Sequence, residues 1–595
     1  MTEKKDLKDF YLQRVSLFGE KYEFYRKKER NSNIFRGLSF LLGVVLAVVF
    51  ANFSALLLTI SILFFLILFL FFVKQNVEFQ TKKVFYNNLK LVNENELKAL
   101  DNDNSSFDSG QEFVDKEHCF SFDLDIFGDR SIFQKVNRTA TLGGKKLLAE
   151  KFLKPSHDIS QILEIQQNSA LLEKETSLRH EFFACGKIFS GDVSNQNIEN
   201  LSSPEYFFTK TPFYKIFSIA LIIITLAAIL LSSLDFVSPY FGLIMFLILQ
   251  FVVIVNLNKT KTLNDKIEKN TKAFQKYSEL FKVVEKMENV PQKFSKTISS
   301  KEVSKAFEML QKISHNFEQR HNLMVAIFGQ GIFLYDILVD MKFENWERKF
   351  SGKIKQWFEI IWEYDFLLSL ANLKFNNPKW CFPTPKSEKY ILNAKNAGHP
   401  LINDEKCVRN DINFSNCNYL IILTGANMAG KSTYLRTIGT NLILSQLGAV
   451  VCADSFEFSP VEVFTSIRTS DSVQDSQSYF FAELKRLEKI VKTLEQNTTL
   501  FIIVDEMLRG TNSKDKSEGS RKFLKKILQF SCYGIFATHD INIGEMKNEF
   551  PQNIDTKCFE ISFKDEELLF DYKLKDGISK NLNASFLMKK LGITD

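Results

Sequence analysis

The stretch YLIILTGANMAGKST, residues 419–433, decides the fold of the C-terminal part of this chain. An apolar, partly β-branched run ends at Thr424, and Gly425 to Ser432 then fits the pattern G-x-x-x-x-G-K-[ST]. Glycines let the backbone curl so that successive N–H groups point at phosphate oxygens. The stretch therefore predicts a buried strand, a phosphate-binding loop and a helix that begins near Thr433.

Each residue type in this loop has a chemical reason. Lys431 would neutralise the β- and γ-phosphates, and the hydroxyl of Ser432 would hold Mg²⁺. The N-terminus of the following helix adds its positive dipole end to the anion site. We expect Gly425, Gly430, Lys431, Ser432 and Thr433 to bind a nucleoside triphosphate, namely ATP, with its Mg²⁺.

Two apolar runs downstream supply candidate partners for this loop. Residues 500–504 form a short β-type run that ends at Asp505 and Glu506. Asp505 would hold Mg²⁺ through water, and Glu506 would orient or deprotonate the attacking water. Residues 534–537 form another such run, and His539 follows it as a candidate sensor of the γ-phosphate. The alternatives are a strand with an acidic turn and a structural histidine.

Composition limits the function classes. The 595 residues are enough for several domains, and a net charge of +6 with 25% charged residues gives no global basic field for nucleic acid. Much of the phenylalanine, 60 residues, falls in apolar runs, so it is weak evidence for base stacking. The eight cysteines are scattered without a C-x-x-C pair, which argues against a zinc site or disulfide framework.

Two long regions have the length and composition of membrane hairpins. Residues 37–73 contain no charged residue and are long enough for two spans with a turn near Asn52. Residues 216–234 and 236–255 form a second pair around Asp235. The alternative is buried core helices, but those are usually amphipathic and seldom this long without charge.

The charges beside these regions predict their orientation. The turns between the spans contain no Lys or Arg, whereas basic residues bracket both hairpins. By the positive-inside rule, both hairpins enter from the cytoplasm and return to it, which predicts an inner (plasma) membrane protein with its ATPase domain and both termini in the cytoplasm. The bracketing residues are Arg30, Arg36, Lys74, Lys82, Lys83, Lys210, Lys215, Lys259 and Lys261.

The remaining segments read as mostly helical and soluble. Residues 131–155 have apolar residues at helical spacing around breaks at Arg138-Thr139 and Gly143-Gly144, and residues 259–375 have long helical periodicity that only Pro291 interrupts. The aromatic residues between Trp346 and Phe366 favour a core. The predicted division is 1–36, cytoplasmic segment; 37–73, hairpin 1; 74–206, helical core; 216–256, hairpin 2; 259–385, helical core; 386–595, ATPase domain.

Several segments together carry a specific resemblance. TGANMAGKST is similar to the phosphate loop TGPNMGGKST of the MutS family of mismatch-repair ATPases, including its asparagine, here Asn427. NRTATLGGKKLLAEKFLKP resembles the start of the family's helical core, and GHPLI the entry to its ATPase domain. Further matching segments are Asn410-Asp411-Ile412, Asp471, SQSYFFAEL (476–484), VDEMLRGTN (504–512), FATHD (536–540) and GISKNLNASFLMKKLGI (577–593).

The resemblance implies an α/β P-loop ATPase domain of the ABC type at the C-terminus, preceded by an all-α core that the two hairpins interrupt. It also implies a homodimer that completes two composite sites. On this basis, Asn427 joins the nucleotide-binding residues, and Ser478 reaches the nucleotide of the opposite subunit. Lys431 and Ser432 bind phosphate and Mg²⁺; Asp505 assists the metal; Glu506 activates water; His539 senses the γ-phosphate.

The departures from the family pattern leave two functions open. About 36 residues precede the first span, too few for the family's mismatch-sensing domain. The first function is a membrane-tethered MutS-type ATPase that still embraces double-stranded DNA. The second is an ATP-driven conformational switch that acts on a membrane partner without a DNA role. Candidate DNA-phosphate contacts, with solvated helix faces as the alternative, are Lys145, Lys146, Lys522, Lys525 and Lys526.

Overall fold

The structure is a computed structural model of the chain. It describes residues 2–188, 191–415, 419–426, 428–468, 479–496, 498–508, 512–564 and 567–579. The architecture is mostly helical up to Asn376, with mixed sheets and flanking helices in the C-terminal part.

Fourteen helices are described before the first strand. They are α1 (Thr2–Ala51), α2 (Ala55–Ala99), α3 (Ile132–Val136), α4 (Leu142–Leu153), α5 (Ile159–Glu173), α6 (Thr176–Ile188), α7 (Asn195–Ser202), α8 (Pro212–Ser233), α9 (Pro239–Ile267), α10 (Thr271–Val284), α11 (Gln292–Ser299), α12 (Glu302–Gln319), α13 (Gln330–Phe333) and α14 (Tyr335–Asn376). Short 3₁₀ turns lie at Gln111–Phe113 and Glu268–Asn270, and a π-helical turn lies at Val325–Gly329.

The C-terminal part contains ten strands and four helices in its described residues. The strands are β1 (Thr384–Pro385), β2 (Leu392–Ala397), β3 (Asn410–Phe414), β4 (Tyr419–Gly425), β5 (Ser455–Phe458), β6 (Glu462–Ser466), β7 (Leu500–Asp505), β8 (Cys532–Thr538), β9 (Ile554–Lys564) and β10 (Glu567–Asp576). The helices are α15 (Lys431–Gln446), α16 (Tyr479–Glu495), α17 (Ser513–Ile527) and α18 (Ile541–Gly544). A 3₁₀ turn follows at Glu545–Asn548.

Four helices, α1, α2, α8 and α9, are long and apolar enough to cross a membrane, as judged by length and composition. Helix α1 ends at Ala51 and α2 begins at Ala55, so the turn lies where the sequence predicts it. The boundaries proposed at 36 and 73 fall inside these two helices. The helices continue because their polar halves also pair: Lys83 lies 2.6 Å from Glu29, and the rings of Tyr25 and Tyr86 stack with centroids 5.4 Å apart.

Two sequence-based expectations about the helical core are wrong. Gly143 and Gly144 do not break a helix; they lie inside α4. A Cβ at Gly143 would come within 2.0 Å of the Trp362 ring, and one at Gly144 within 2.3 Å of the Asp365 carboxylate, so the glycines let α4 and α14 approach closely. Pro291 is also not the only interruption between 259 and 375, because helices end near 267, 284, 299, 319 and 333 as well.

Helix α14 forms the centre of the helical core. Its aromatic residues are buried, as the sequence predicts, including Trp346, Phe350, Trp357, Phe358 and Tyr364. Asp365 on the same helix accepts hydrogen bonds from Ala140 N, Thr141 N and Thr141 Oγ1, which caps the start of α4. Burial of large aromatic side chains supplies most of the stability of such a helix.

Two sheets build the C-terminal part. The larger sheet has the strand order β10-β9-β4-β8-β7-β6; its neighbours pair in parallel except β9 and β10. The smaller sheet has the order β1-β5-β2-β3, and β1 begins at Thr384, two residues before the predicted domain start. Because β4, β8 and β7 are parallel and in register, Thr424 lies beside Thr538, and Asp505 lies beside Ala537. Three sequence-predicted strand ends therefore meet at one edge.

Candidate functional site

The glycine-rich loop connects β4 to α15 at the carboxyl edge of the large sheet. Gly425 has φ +153°, and a Cβ there would lie 2.8 Å from the carbonyl oxygen of Phe559 on β9. Gly430, with φ +106°, stands immediately before α15, which begins at Lys431 rather than near Thr433. Both positions need glycine because other residues rarely adopt these backbone angles.

Lys431 and Ser432 start the helix with their side chains near the strand ends. The ammonium of buried Lys431 donates to the carbonyl oxygens of Gly425 and Ala426 at 2.7 and 2.9 Å. The hydroxyl of Ser432 donates to Asp505 Oδ2 at 2.5 Å, although β8 separates β4 from β7. Thr433 is exposed and lines the cavity beside these strand ends. The structure thus brings the loop and the first acidic residue together.

Glu506 and His539 also meet at this edge. Glu506 has φ +56°, and its N–H donates to Ala537 O at 2.9 Å, which fixes the turn after β7 against β8. Its carboxylate is in contact with His539 Nε2, and Lys516 Nζ on α17 lies 3.9 Å from the other oxygen. A left-handed conformation at a non-glycine residue is costly and is often found at functional sites.

A cavity of about 760 Å³ lies at this edge of the sheet, and Gly425 and His539 stand outside its lining. Its lining includes Gly430, Lys431, Ser432, Thr433, Asp505 and Glu506, together with Arg436, Arg468 and Tyr572, which sequence reasoning did not single out. Arg468 stands two residues after β6, at the same edge as Asp505. The short β-type run Val463-Phe464-Thr465 that precedes Arg468 was a usable signal, although the sequence analysis did not use it. Tyr572, whose side chain is exposed on β10, comes from a distant part of the chain and offered no local signal.

A buried carboxylate joins this cavity to the helical core. Asp123 is fully buried, and its Oδ2 accepts from Thr465 Oγ1 at 2.7 Å and from Arg486 at 3.0 Å, while Oδ1 accepts from Arg468 N at 3.0 Å. Arg468 also makes a bidentate pair with Asp125 at 2.6 and 3.1 Å. The segment around Asp123 therefore holds the end of β6 and the middle of α16 in place.

Oxygen ligands suitable for Mg²⁺ are present in this cavity. Mg²⁺ usually takes one or two protein carboxylates with waters and substrate phosphates, rather than an all-protein cage. The hydroxyl of Ser432 and the carboxylate of Asp505 form such a set. Within the described ranges there is no group of three or more His, Cys, Asp and Glu that could hold a metal ion.

Two predicted nucleotide-binding residues, Asn427 and Ser478, lie outside the described residues, as does Asp471. Glu483, from the same sequence segment as Ser478, is described: it is buried on α16, and its carboxylate accepts from Leu508 N at 2.6 Å. This contact links that segment to the loop that follows Glu506.

The candidate DNA-contacting lysines are mostly paired with carboxylates. Lys145 lies 2.6 Å from Asp108 and 2.5 Å from Glu112, whereas Lys146 is on the exposed face of α4. On α17, the pairs are Lys522 with Glu518 at 2.7 Å, Lys525 with Glu549 at 3.0 Å and Lys526 with Glu495 at 3.5 Å. Pairing lowers the positive potential that these lysines present to a phosphate backbone.

Comparison with known proteins identifies the domain that carries this site. Residues 421–588 match the family model MutS domain V. The chain is 26% identical over 231 residues to the DNA mismatch repair protein MutS of Thermotoga maritima, covering 38% of this chain and 29% of that protein. It is 30% identical over 202 residues to human MutS protein homolog 4, covering 32% and 21%. It is 31% identical over 225 residues to the DNA mismatch repair protein MSH3 of Vanderwaltozyma polyspora, covering 36% and 22%. The chain thus matches less than a third of the length of each of these relatives.

Proposed function

We propose that this chain, whose residues 421–588 match MutS domain V, is a membrane-anchored ATPase of the MutS family that binds and hydrolyses ATP with Mg²⁺. The observation that carries this proposal is the convergence of Lys431, Ser432, Asp505 and Glu506 around one cavity at the carboxyl edge of a parallel sheet. Ligands of open α/β sheets bind at this edge.

Each of the residues at this site has a separate role in binding or hydrolysing ATP. Lys431 and the N-terminus of α15 attract the phosphates. Ser432 and Asp505 hold Mg²⁺, which when bound neutralises phosphate charge. Glu506 orients the attacking water and accepts its proton, and His539, in contact with Glu506, holds that carboxylate in position and senses the γ-phosphate.

Glu506→Gln tests the hydrolytic step. We expect the variant to bind ATP with an affinity within about threefold of the wild type. Its turnover rate should fall by at least about 100-fold, since general-base catalysis contributes factors of about 10²–10⁴. Glu462→Gln is the matched control, because Glu462 is an exposed residue at the amino end of β6, on the opposite edge of the sheet. Unchanged turnover in Glu506→Gln would remove Glu506 as the base.

The composite site of a homodimer is part of the proposal. Ser478 would reach the nucleotide bound by the other subunit, so Ser478→Ala is expected to lower ATP turnover without preventing ATP binding at the protein's own loop. Mixing the Ser478→Ala and Lys431→Ala proteins distinguishes a site shared between subunits from a site within one subunit. In the shared arrangement one of the two sites of a mixed dimer keeps both residues, so mixing should restore part of the ATP turnover. If Ser478→Ala alone hydrolyses ATP at the wild-type rate, the trans role is wrong.

Membrane anchoring is supported by the four long apolar helices and by the basic residues that flank them. We expect the protein to remain in the membrane fraction after alkaline carbonate extraction. Protease added to the outside of intact spheroplasts should leave the ATPase domain and both termini uncut. Release by carbonate would argue against spanning helices in the inner (plasma) membrane.

Whether DNA is a partner is tested by salt-dependent binding. Phosphate contacts make affinity fall steeply with salt, so a DNA-embracing protein binds duplex at low salt, and comparison of homoduplex with mismatched duplex tests mismatch recognition. The carboxylate pairing of Lys145, Lys522, Lys525 and Lys526 favours the second function, an ATP-driven conformational switch that acts on a membrane partner. Absence of duplex binding at low salt, with ATPase activity intact, would select that second function.

A further inference from the structure

Residues 322–335, with the sequence NLMVAIFGQGIFLY, form an apolar connection between α12 and α14. This 322–335 segment contains no charged residue, and Arg320, His321 and Asp336 stand directly beside it. Helical residues rise about 1.5 Å each, so the segment is about 20 Å long, shorter than the ~30 Å hydrocarbon thickness of a bilayer. It is therefore too short to cross a membrane.

The backbone of the segment is irregular. Val325–Gly329 form a π-helical turn, Gln330–Phe333 form the short helix α13, and Leu334 has φ +48°, which turns the chain sharply into α14. π-Helical turns are rare and occur frequently at functional positions. This conformation separates the segment from the regular helices on both sides.

One side of the segment exposes large apolar side chains. Leu323 is 71% exposed, Met324 66% and Phe328 51%. Ile327 and Phe333 are exposed as well. A contiguous apolar surface of this kind marks a site that contacts either a protein or a membrane.

The other side packs against α9, well within the apolar part of that helix. The amide of Gln250 donates to Ile327 O at 2.7 Å and to Ala326 O at 3.4 Å. Gly331 lies so close to Phe246 that a Cβ would come within 2.1 Å of its ring. Gln250 precedes Lys259 by nine residues, which places this contact about 14 Å along α9 from the lysine.

Polar contacts are concentrated at the base of the segment. Arg320 lies 3.5 Å from Asp336 across the two ends of the segment, and His321 lies 2.8 Å from Glu268 on the turn after α9. The Tyr335 hydroxyl donates to Asn316 O at 3.0 Å. Charged groups thus lie where the segment joins α12 and α14, and apolar groups lie along the segment itself, as at a water–lipid boundary.

We propose that the 322–335 segment is a re-entrant membrane segment, whose exposed face contacts lipid hydrocarbon and which enters and leaves on the side where Lys259 lies. The proposal rests on the proposed membrane anchoring. The segment lies next to α8 and α9, because α13 contacts both helices, and those two helices expose apolar side chains as well. Irregular backbone at membrane depth requires satisfied carbonyl groups, and Gln250 satisfies two of them.

The test uses the full-length protein in phosphatidylcholine–phosphatidylglycerol vesicles that contain a phospholipid with a diazirine in its acyl chain. After illumination, peptide mass spectrometry measures the label at each residue. We expect residues 323–333 to be labelled within about threefold of α8 and α9, and at least tenfold above Met309. Met309 is the matched control, because its side chain is 50% exposed on α12, outside the segment.

The outcomes separate the two proposals. Label on α8 and α9 with only the Met309 level at 323–333 would overturn the re-entrant segment and leave the anchoring intact, and it would indicate a protein-covered or water-facing surface. If α8 and α9 also carry no more label than Met309, both the re-entrant segment and the membrane anchoring are overturned. Leu323→Lys combined with Phe328→Lys should lower the label at 323–333 at least fivefold and leave α8 and α9 unchanged, whereas unaltered labelling would contradict hydrocarbon contact.

Discussion

Glu96 joins four separate segments, and its removal gives the most informative test of how the helical core is held together. This buried carboxylate near the end of α2 accepts from Arg138 Nε at 2.6 Å and from Asn376 Nδ2 at 2.7 Å. Asn376, the last residue of α14, in turn accepts from the hydroxyl of Tyr11 on α1 at 2.6 Å. One network therefore fastens both long N-terminal helices to the end of α14.

The expected magnitude follows from burial. Glu96→Ala leaves the guanidinium of Arg138, itself buried, without its charge partner, and breaking a buried ion pair in this way costs about 3–5 kcal/mol. Tyr11→Phe leaves Asn376 Oδ1 without its donor and costs about 1–3 kcal/mol. Because the two substitutions share Asn376, their combined effect should be smaller than the sum by about 0.5–3 kcal/mol.

Hydrogen exchange of the detergent-solubilised protein measures these energies locally. A loss of about 3 kcal/mol corresponds to roughly 100-fold faster exchange for amides near Tyr11, since about 1.4 kcal/mol is a factor of ten. Glu94→Ala is the control, because Glu94 is a half-buried neighbour on α2 that pairs only loosely, at 3.5 Å, with Lys90. Equal exchange in Glu96→Ala and Glu94→Ala would refute the reasoning.

Three further predictions follow from single contacts. Gly425→Ala should weaken ATP binding at least tenfold in a nucleotide-titration assay, because its Cβ would meet the backbone oxygen of Phe559 at 2.8 Å. Gly143→Ala should lower the free energy of unfolding, as measured by thermal denaturation, by about 1–3 kcal/mol, because its Cβ would overlap the Trp362 ring. Burial lowers the pKa of His399 from 6.5 to about 4, so its contribution to stability should be lost progressively as pH falls from 6.5 to 4, by about 1.4 kcal/mol per unit; His399→Gln should flatten that part of the melting-temperature profile.

Controls for these predictions are available in the chain. Gly352→Ala on α14 has nothing within 4 Å of the added Cβ, so it should leave ATP binding unchanged and keep or raise stability. A stability loss in Gly352→Ala equal to that of Gly143→Ala would contradict the packing argument. Equal pH slopes in the wild type and His399→Gln between pH 4 and 6.5 would contradict the assignment to His399.

The site was predictable where its signals are local. Asp505 and Glu506 follow a continuous apolar run, and parallel strands end at a common edge, so their approach to Ser432 follows from the chain. Arg436 lies four residues after Ser432 on α15, so helical spacing places both on one face, a local signal that the sequence analysis did not use. Tyr572 enters the cavity from a distant strand, which no local pattern encodes. The roles of Asn427 and Ser478 stay predictions.

Fold prediction failed where tertiary contacts override local preference. The glycine pair in α4 predicts a break, because glycine lowers helix propensity, yet the close contact with Trp362 and Asp365 requires both glycines. Lys301 and Leu334 end or begin helices with positive φ, a conformation that non-glycine side chains rarely indicate in advance. The 322–335 segment has helix-like apolar spacing, so the sequence predicts it as part of the long helical region 259–375 rather than as a separate segment.

The uninterrupted length of α1 has a mechanical consequence. Its 50 residues run from Thr2 to Ala51 as one helix, and the part from the Tyr11 contact to Ala51 is about 60 Å long. A rigid rod tilted by about 5° about Tyr11 would displace Ala51 by roughly 5 Å, the rise of about one helical turn. Small rearrangements near the end of α14 are thereby amplified at the far tip of the first hairpin, with no hinge needed along the way.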